Sequence, residues 1–258
     1  MTGSRWQRLR DAVFGSQLWR SAFRHDHRDT RRGRTLAVVG NVWLHLHPAK
    51  VRRHGLRVRY TWCMGGVTFL LFLVTVVTGV FLLFFYRPTD EYAYVDMKML
   101  MFDVPFGAVT RNLHRWAAHG MVVTVILHMY RVFLTGSYKP PREFNWVVGV
   151  SLLALTLFLG FTGYLLPWDQ LAMWAVTVGT NMASAIPLLG HEGPLSGHGL
   201  ATARYDAHAL LLGGTVVGPA TLLRFYVLHV VFVPIAAALL MILHFWRVRK
   251  DGGISGPL

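Results

Sequence analysis

Four histidines stand inside long apolar runs, His114 and His128 in one, His229 and His244 in another. Ionisable side chains are costly at membrane depth and mark functional sites there. The first pair is 14 residues apart and the second 15. At about 100° per residue, 14 residues fall about 40° short of four helical turns, and 15 overshoot by about 60°. Each helix therefore presents both of its histidines on nearly one face, about 21 Å apart on the first and about 22 Å on the second. Imidazole is a standard axial donor to haem iron, and a planar haem takes one ligand on each side. Two helices with matched pairs can clamp two stacked haems, as helix bundles hold cofactors between facing helices. A lone membrane histidine is more often a satisfied polar residue than a ligand. Two pairs at nearly equal spacing shift the balance to ligation.

These rings need long helices to hold them. Four segments have the roughly 20 apolar residues that cross a bilayer: about 60–86, 112–134, 146–167 and 225–246. Backbone groups in lipid must be bonded internally, so runs of this length are helices. The predicted fold class is an all-α membrane protein, a four-transmembrane-helix haem-binding bundle with an N-terminal amphipathic surface helix. That surface helix is read at Leu36–His47, ending at Pro48. Three regions follow: a basic cytoplasmic arm and surface helix over 1–59, the four-helix domain over 60–250, and a tail over 251–258.

Charge agrees with this layout. The chain has 258 residues, 53% hydrophobic and 15% charged, with a net charge of +14. Soluble domains carry about 25% charged residues. Residues 1–59 hold 14 Lys/Arg against 3 Asp/Glu, so most of the excess lies ahead of the spans. One cysteine excludes a disulfide scaffold, and the apolar body argues against nucleic acid as the partner of the basic arm. The loops 87–111 and 168–224 each carry a net charge of −1, whereas the arm, the turn with Lys139 and Arg142, and Arg247, Arg249 and Lys250 are basic. The positive-inside rule then puts both termini in the cytoplasm, with His114 and His229 paired near the outer face and His128 and His244 near the inner face.

Glycine repeats the histidine interval. Gly65 and Gly79 are 14 residues apart, as are Gly149 and Gly163. Glycine permits close approach of a flat ring or of another helix. Ordinary helix packing explains any one of them; the shared period favours haem contact. Arg111, Arg115 and Arg131 flank the first histidine pair, where haem propionates need cations. Snorkelling to lipid headgroups is their alternative role. His119 follows His114 by five residues and faces elsewhere, and His25, His27, His45, His47 and His54 are read as cytoplasmic or interfacial.

Several stretches resemble cytochrome b6, the N-terminal half of cytochrome b in bc-type (b6f-like) quinol oxidoreductases. They are LHRWAAHGMVVTVILHMYRVFLTGSYKPPREFNWVVGV at 113–150, GFTGYLLPWDQLAMWAV at 160–176, RFYVLH at 224–229 and ISGPL at 254–258. The resemblance covers about 56–258. It implies a quinol:cytochrome c (or equivalent acceptor) oxidoreductase working by a Q cycle. His114 and His229 would hold a low-potential b haem, and His128 and His244 a high-potential one. Quinol oxidised at the outer face would send one electron to a Rieske protein and the other across the membrane to quinone. Gly163, Tyr164, Pro167 and Trp168 would form a wall of the quinol site. YTWCMGG at 60–66 is similar to a CLGG stretch in which the cysteine holds a third haem through one thioether bond. That implies a covalent c-type haem at Cys63, near Arg249 and Lys250. A lone buried cysteine is otherwise a small hydrophobe.

The family's PEWY segment and its further spans are absent, so the resemblance implies a subunit-IV-like partner. A Rieske iron–sulfur protein, a c-type cytochrome and membrane lipid complete the expected partners, in a dimeric complex of the bacterial cytoplasmic membrane rather than a thylakoid. The stretch 190–220 is longer than its counterpart and carries His191, His198 and His208. It reads as a docking surface for an extrinsic cytochrome before a metal site. The competing readings are a dihaem membrane anchor of another quinone-linked dehydrogenase or reductase, and a haem-free structural or transport subunit.

Overall fold

A computed structural model of the chain describes residues 5–22, 57–194, 196, 202, 204–214 and 216–251. Its helices are α1 (Arg5–Phe14), α2 (Gln17–Ala22), α3 (Val58–Thr61), α4 (Met64–Leu83), α5 (Ala93–Phe102), α6 (Gly107–Leu134), α7 (Glu143–Leu165), α8 (Gln170–Ser184), α9 (Ala207–Leu212) and α10 (Pro219–Lys250). The described residues form no sheet. The four helices α4, α6, α7 and α10 are long and apolar enough to cross a membrane. Leu70, Val77 and Val80 on α4 and Leu239 and Ile242 on α10 lie exposed. In water such a display is unstable; in lipid it is the ordinary outer face of a span.

Helix limits follow local chemistry. Trp62 and Cys63 both adopt the left-handed conformation, with φ of 53° and 52°. They separate α3 from α4, so the first span begins at Met64 and not at 60. The Trp62 amide closes α3 on the Val58 carbonyl, and the Cys63 amide donates to Thr61 Oγ1 at 3.1 Å. α6 starts at Gly107 behind Phe106, whose φ is 62°. α10 starts at Pro219, six residues before the expected limit, because proline's fixed φ suits a first turn. Pro167 stops α7, and Asp169 opens α8 by accepting from the Ala172 amide at 2.8 Å. The predicted surface helix at 36–47 lies outside the described residues.

The chain packs as two units. One takes the described residues of Met1–Val67, Val123–Ala154 and Ala237–Leu258; the other takes Thr68–Val122 and Leu155–Ala236. In the first unit the described N-terminal residues are held to the helices through Ser21. Its hydroxyl donates to the Pro141 carbonyl at 2.9 Å, and its carbonyl accepts from Arg247 Nη2 at 2.5 Å. Arg247 is fully buried and also pairs with Asp251 at 3.3 Å. Arg249 is buried as well. Two of the cations that make the end of the last span basic are therefore packed inside. A buried charge must be paired to be tolerated, and Arg247 meets that condition.

In the second unit, Tyr86 donates to the Leu166 carbonyl at 2.6 Å. The connection from α4 to α5 is tied by Asp96, whose side chain is 1% exposed. It accepts from the Arg87 amide at 2.8 Å, from Nε at 3.1 Å and from Nη2 at 2.7 Å. The Arg87 hydrogen bond holds the Asp96 carboxyl below the usual carboxylate range, against the opposing effect of burial. A depressed folded-state value contributes stability above the unfolded pKa, and that contribution is lost as pH falls through the folded value. Asp96→Asn is thus expected to lower the melting temperature in detergent at pH 7 and to flatten the acid limb below about pH 4. Equal melting temperatures for both proteins from pH 7 to pH 3 would count against this lock.

Candidate functional site

Each unit contains one pair of facing histidine rings. The His114 and His229 ring centres are 6.3 Å apart with planes inclined by 69°. Those of His128 and His244 are 6.4 Å apart, inclined by 81°. A metal–imidazole bond of about 2 Å, with about 1.1 Å from nitrogen to ring centre, puts two trans imidazoles about 6.2 Å apart on one metal. Both pairs have that separation.

Behind every ring stands one glycine. A Cβ on Gly79 would lie 3.3 Å from His114 Cε1, and one on Gly65 would lie 3.3 Å from His128 Cε1. On Gly163 it would reach 2.6 Å from His229 Cε1, and on Gly149 it would lie 3.8 Å from His244 Cε1. The 14-residue glycine period therefore serves the histidine rings directly, seating each imidazole against the neighbouring helix. Gly160, one turn from Gly163, meets nothing within 4 Å and has no such role.

Hydrogen bonding separates the two pairs. Thr78 Oγ1 lies 2.9 Å from His114 Nδ1, and Thr162 Oγ1 lies 3.0 Å from His229 Nδ1. Neither threonine stands out in the sequence, although each immediately precedes one of the periodic glycines. At the other pair, His244 Nδ1, Asn145 Oδ1 and Arg131 Nη2 are buried without a hydrogen-bond partner among the described residues. A cavity lined by His128, Arg131, Arg142, Asn145, Gly149 and His244 opens beside that pair. Buried polar atoms left unpaired around a cavity fit a polar-edged group that is not part of the protein. The ring separations and the glycine seats fit a bis-histidine haem at both pairs, and the orphaned atoms add to the fit at His128–His244.

α10 contains an element that the spacing only hints at. Leu228–Phe232 forms a π-helical turn and carries His229. A π turn takes up one residue more than an α turn. The fifteenth residue between His229 and His244 is absorbed there.

The other candidates divide. Arg131 lines the cavity, donates from Nε to the Tyr60 carbonyl at 3.2 Å and covers the Tyr60 ring. Arg111 donates to Met101 Sδ at 3.4 Å, and Arg115 is exposed. Arg249 is buried but is not in the cavity wall, which Val248 reaches instead. Cys63 is exposed, with Gly66 beside its sulfur. Of the expected quinol-site wall, Trp168 lines an open cleft of about 390 Å³ with Tyr94, Asp169, Gln170 and Leu171. Tyr164 and Pro167 do not line it, and Gly163 backs His229.

In the long loop, His191 Nδ1 lies 2.5 Å from the buried carboxylate of Asp206, which also caps α9 by accepting from the Ala209 amide at 2.7 Å. Burial would raise the Asp206 pKa, but the Ala209 and His191 hydrogen bonds outweigh it and hold the carboxyl low. His208 lies within α9, and His198 falls outside the described residues. The described residues contain no cluster of three or more His, Cys, Asp or Glu able to hold a bare metal ion.

Residues 52–252 match the cytochrome b/b6/petB family. The chain is 46% identical over 201 residues to a cytochrome b6 of Oltmannsiellopsis viridis, covering 78% of this chain and 86% of that one. It is 44% identical, with the same coverage, to a cytochrome b6 of Porphyra purpurea. Among solved structures, a chain of a hyperthermophilic respiratory Complex III matches with a TM-score of 0.68 and 25% identity over 89% of this chain. This chain spans 55% of that one.

The glycine seats can be tested directly. Gly163→Ala is expected to displace the His229 ring and to remove about half of the b-type absorbance per chain. Gly160→Ala is expected to leave it intact. Equal absorbance in the two variants would show that the Gly163 seat is not needed.

Proposed function

The chain belongs to the cytochrome b/b6 family, and from that premise we propose that it is the cytochrome b subunit of a quinol oxidoreductase. It is a multi-pass membrane protein, with four helices among the described residues long and apolar enough to span. The single observation that carries the reading is the pair of ring separations, 6.3 Å and 6.4 Å, each with glycine behind both rings. Haem iron, when bound, takes up and releases one electron. His114 with His229, and His128 with His244, would hold that iron through their ring nitrogens.

The remaining roles belong to the chain's own groups. Gly65, Gly79, Gly149 and Gly163 let the rings reach their positions. Thr78 and Thr162 orient two of the four imidazoles. Arg131, Arg142 and Asn145 offer positive charge and hydrogen bonds to an anionic edge beside the His128–His244 pair. The apolar helix faces exclude water. Trp168 and its cleft neighbours form a wall against which a quinol ring can lie.

Orientation is part of the same proposal. Both termini lie on the cytoplasmic side of a bacterial membrane, the His114–His229 pair towards the outer face and the His128–His244 pair towards the inner. The supporting observation is the charge asymmetry of the sequence. The proposed partners are a subunit-IV-like chain, a Rieske iron–sulfur protein and a c-type cytochrome, in a dimeric complex. Kinship with cytochrome b6 and with a Complex III chain supports them. A covalent haem at Cys63 completes the proposal. Its support is an exposed thiol presented by two consecutive left-handed residues.

The reduced-minus-oxidised spectrum of the purified complex tests this reading. Two b-type haems per chain are expected, and His128→Leu is expected to lose one of them. Full b-haem content in that variant contradicts the ligand assignment. A co-purifying molybdenum or nickel subunit in place of a Rieske protein favours the dihaem-anchor alternative. Haem staining of a denaturing gel is expected to mark the wild-type chain and not Cys63→Ala; an unstained wild-type band removes the covalent haem.

A further inference from the structure

The two ring pairs differ in what holds their far nitrogens. Each threonine hydroxyl at the His114–His229 pair has one proton, and each gives it to its own helix. Thr78 donates to the Val74 carbonyl at 2.6 Å, and Thr162 to the Leu159 carbonyl at 3.1 Å. Both hydroxyls are buried. With that proton committed, the threonine oxygen is an acceptor toward the ring. The hydrogen of each neutral imidazole then sits on Nδ1, and Nε2 is left with its lone pair free for a metal. At the other pair, His244 Nδ1 is buried with no partner, and no hydroxyl or carboxylate among the described residues bonds the His128 ring.

The difference is written in one register position per helix. Thr78 immediately precedes Gly79, and Thr162 immediately precedes Gly163. Fourteen residues earlier on the same two helices stand Met64–Gly65 and Val148–Gly149, whose glycines back His128 and His244. The same position carries a hydroxyl in one site and, in the other, the thioether of Met64 and the hydrocarbon of Val148.

We propose that Thr78 and Thr162 are tuning residues for one of the two centres. By accepting from Nδ1–H they fix the ligating tautomer of His114 and His229 and lower the reduction potential of the iron held there. The His128–His244 site lacks this device. An imidazole that donates its far N–H is a more basic ligand. A more basic ligand favours ferric over ferrous iron, and hydrogen bonding beyond the ligands is one of the protein's levers on haem potential. The inference rests on the haem-binding function proposed above.

Redox titration of the haem bands of the full chain in its complex separates the two ideas. Thr78→Val and Thr162→Val are each expected to raise one of the two midpoints and to leave the other unmoved. The double variant is expected to shift the reduction equilibrium about tenfold, which for one electron is about 59 mV. Thr78→Ser and Thr162→Ser keep the hydroxyl and are expected to retain the wild-type midpoint. Val148→Thr places a hydroxyl at the matching position beside the second site and is expected to lower the other midpoint. That variant decides the question even where a valine substitution prevents assembly. Haem-loaded variants with unmoved midpoints in every case overturn the proposal. A wild-type chain with no b-type band overturns the haem-binding reading instead.

Discussion

Two imidazoles on different helices must face each other with ring centres about 6 Å apart, and nearly everything else in the spans serves that spacing. A histidine ring projecting from one helix meets the backbone of another unless that neighbour carries no side chain at the point of contact. Gly65, Gly79, Gly149 and Gly163 supply four such points, one behind each ring. Each glycine costs a helix interior about 0.5–1 kcal/mol relative to alanine. In a membrane that cost is offset by close helix approach, which small residues alone permit. At Gly163 the demand is strictest, because an added Cβ would stand 2.6 Å from a ring carbon.

The connecting segments solve a different problem, that of holding loops firmly with few residues. Acidic side chains do this work in the second unit. Asp96 closes on Arg87, Asp169 caps α8, and Asp206 both caps α9 and receives His191. All three carboxylates lie in the segments between the long apolar helices, where each is pinned by a backbone amide, by arginine or by histidine.

How much of this was legible in the sequence depends on the range of the interaction. The four spans were, because hydropathy over about 20 residues fixes them. The histidines and glycines were, because a helix turns a 14-residue interval into shared facing. Thr78 and Thr162 were not. Threonine in a membrane helix ordinarily bonds its own preceding carbonyl, as both do here, and nothing local shows that the oxygen's second role is toward a ring. Arg247 and Arg249 read as tail cations, yet both are buried. Besides its ion pair with Asp251, Arg247 donates to the Ser21 carbonyl, 226 positions away, a partner that no local pattern points to. The helix break at Trp62 and Cys63 was equally hidden, since two consecutive left-handed non-glycine residues run against backbone preference.

The π turn shows how a numerical misfit in the sequence acquires a physical meaning. Fourteen residues between His114 and His128 leave them about 40° apart in direction, whereas fifteen α-helical residues between His229 and His244 would leave about 60° of the opposite sign. The two intervals thus differ by one residue, a mismatch of about 100° of helical turn. Leu228–Phe232 removes it by widening one turn to take the surplus residue. π turns inside α-helices are frequently found at functional sites. The widened turn here carries His229, so the surplus residue is taken up where the chain is already held, by the Gly163 seat behind that ring and by Thr162 Oγ1 at 3.0 Å from its Nδ1.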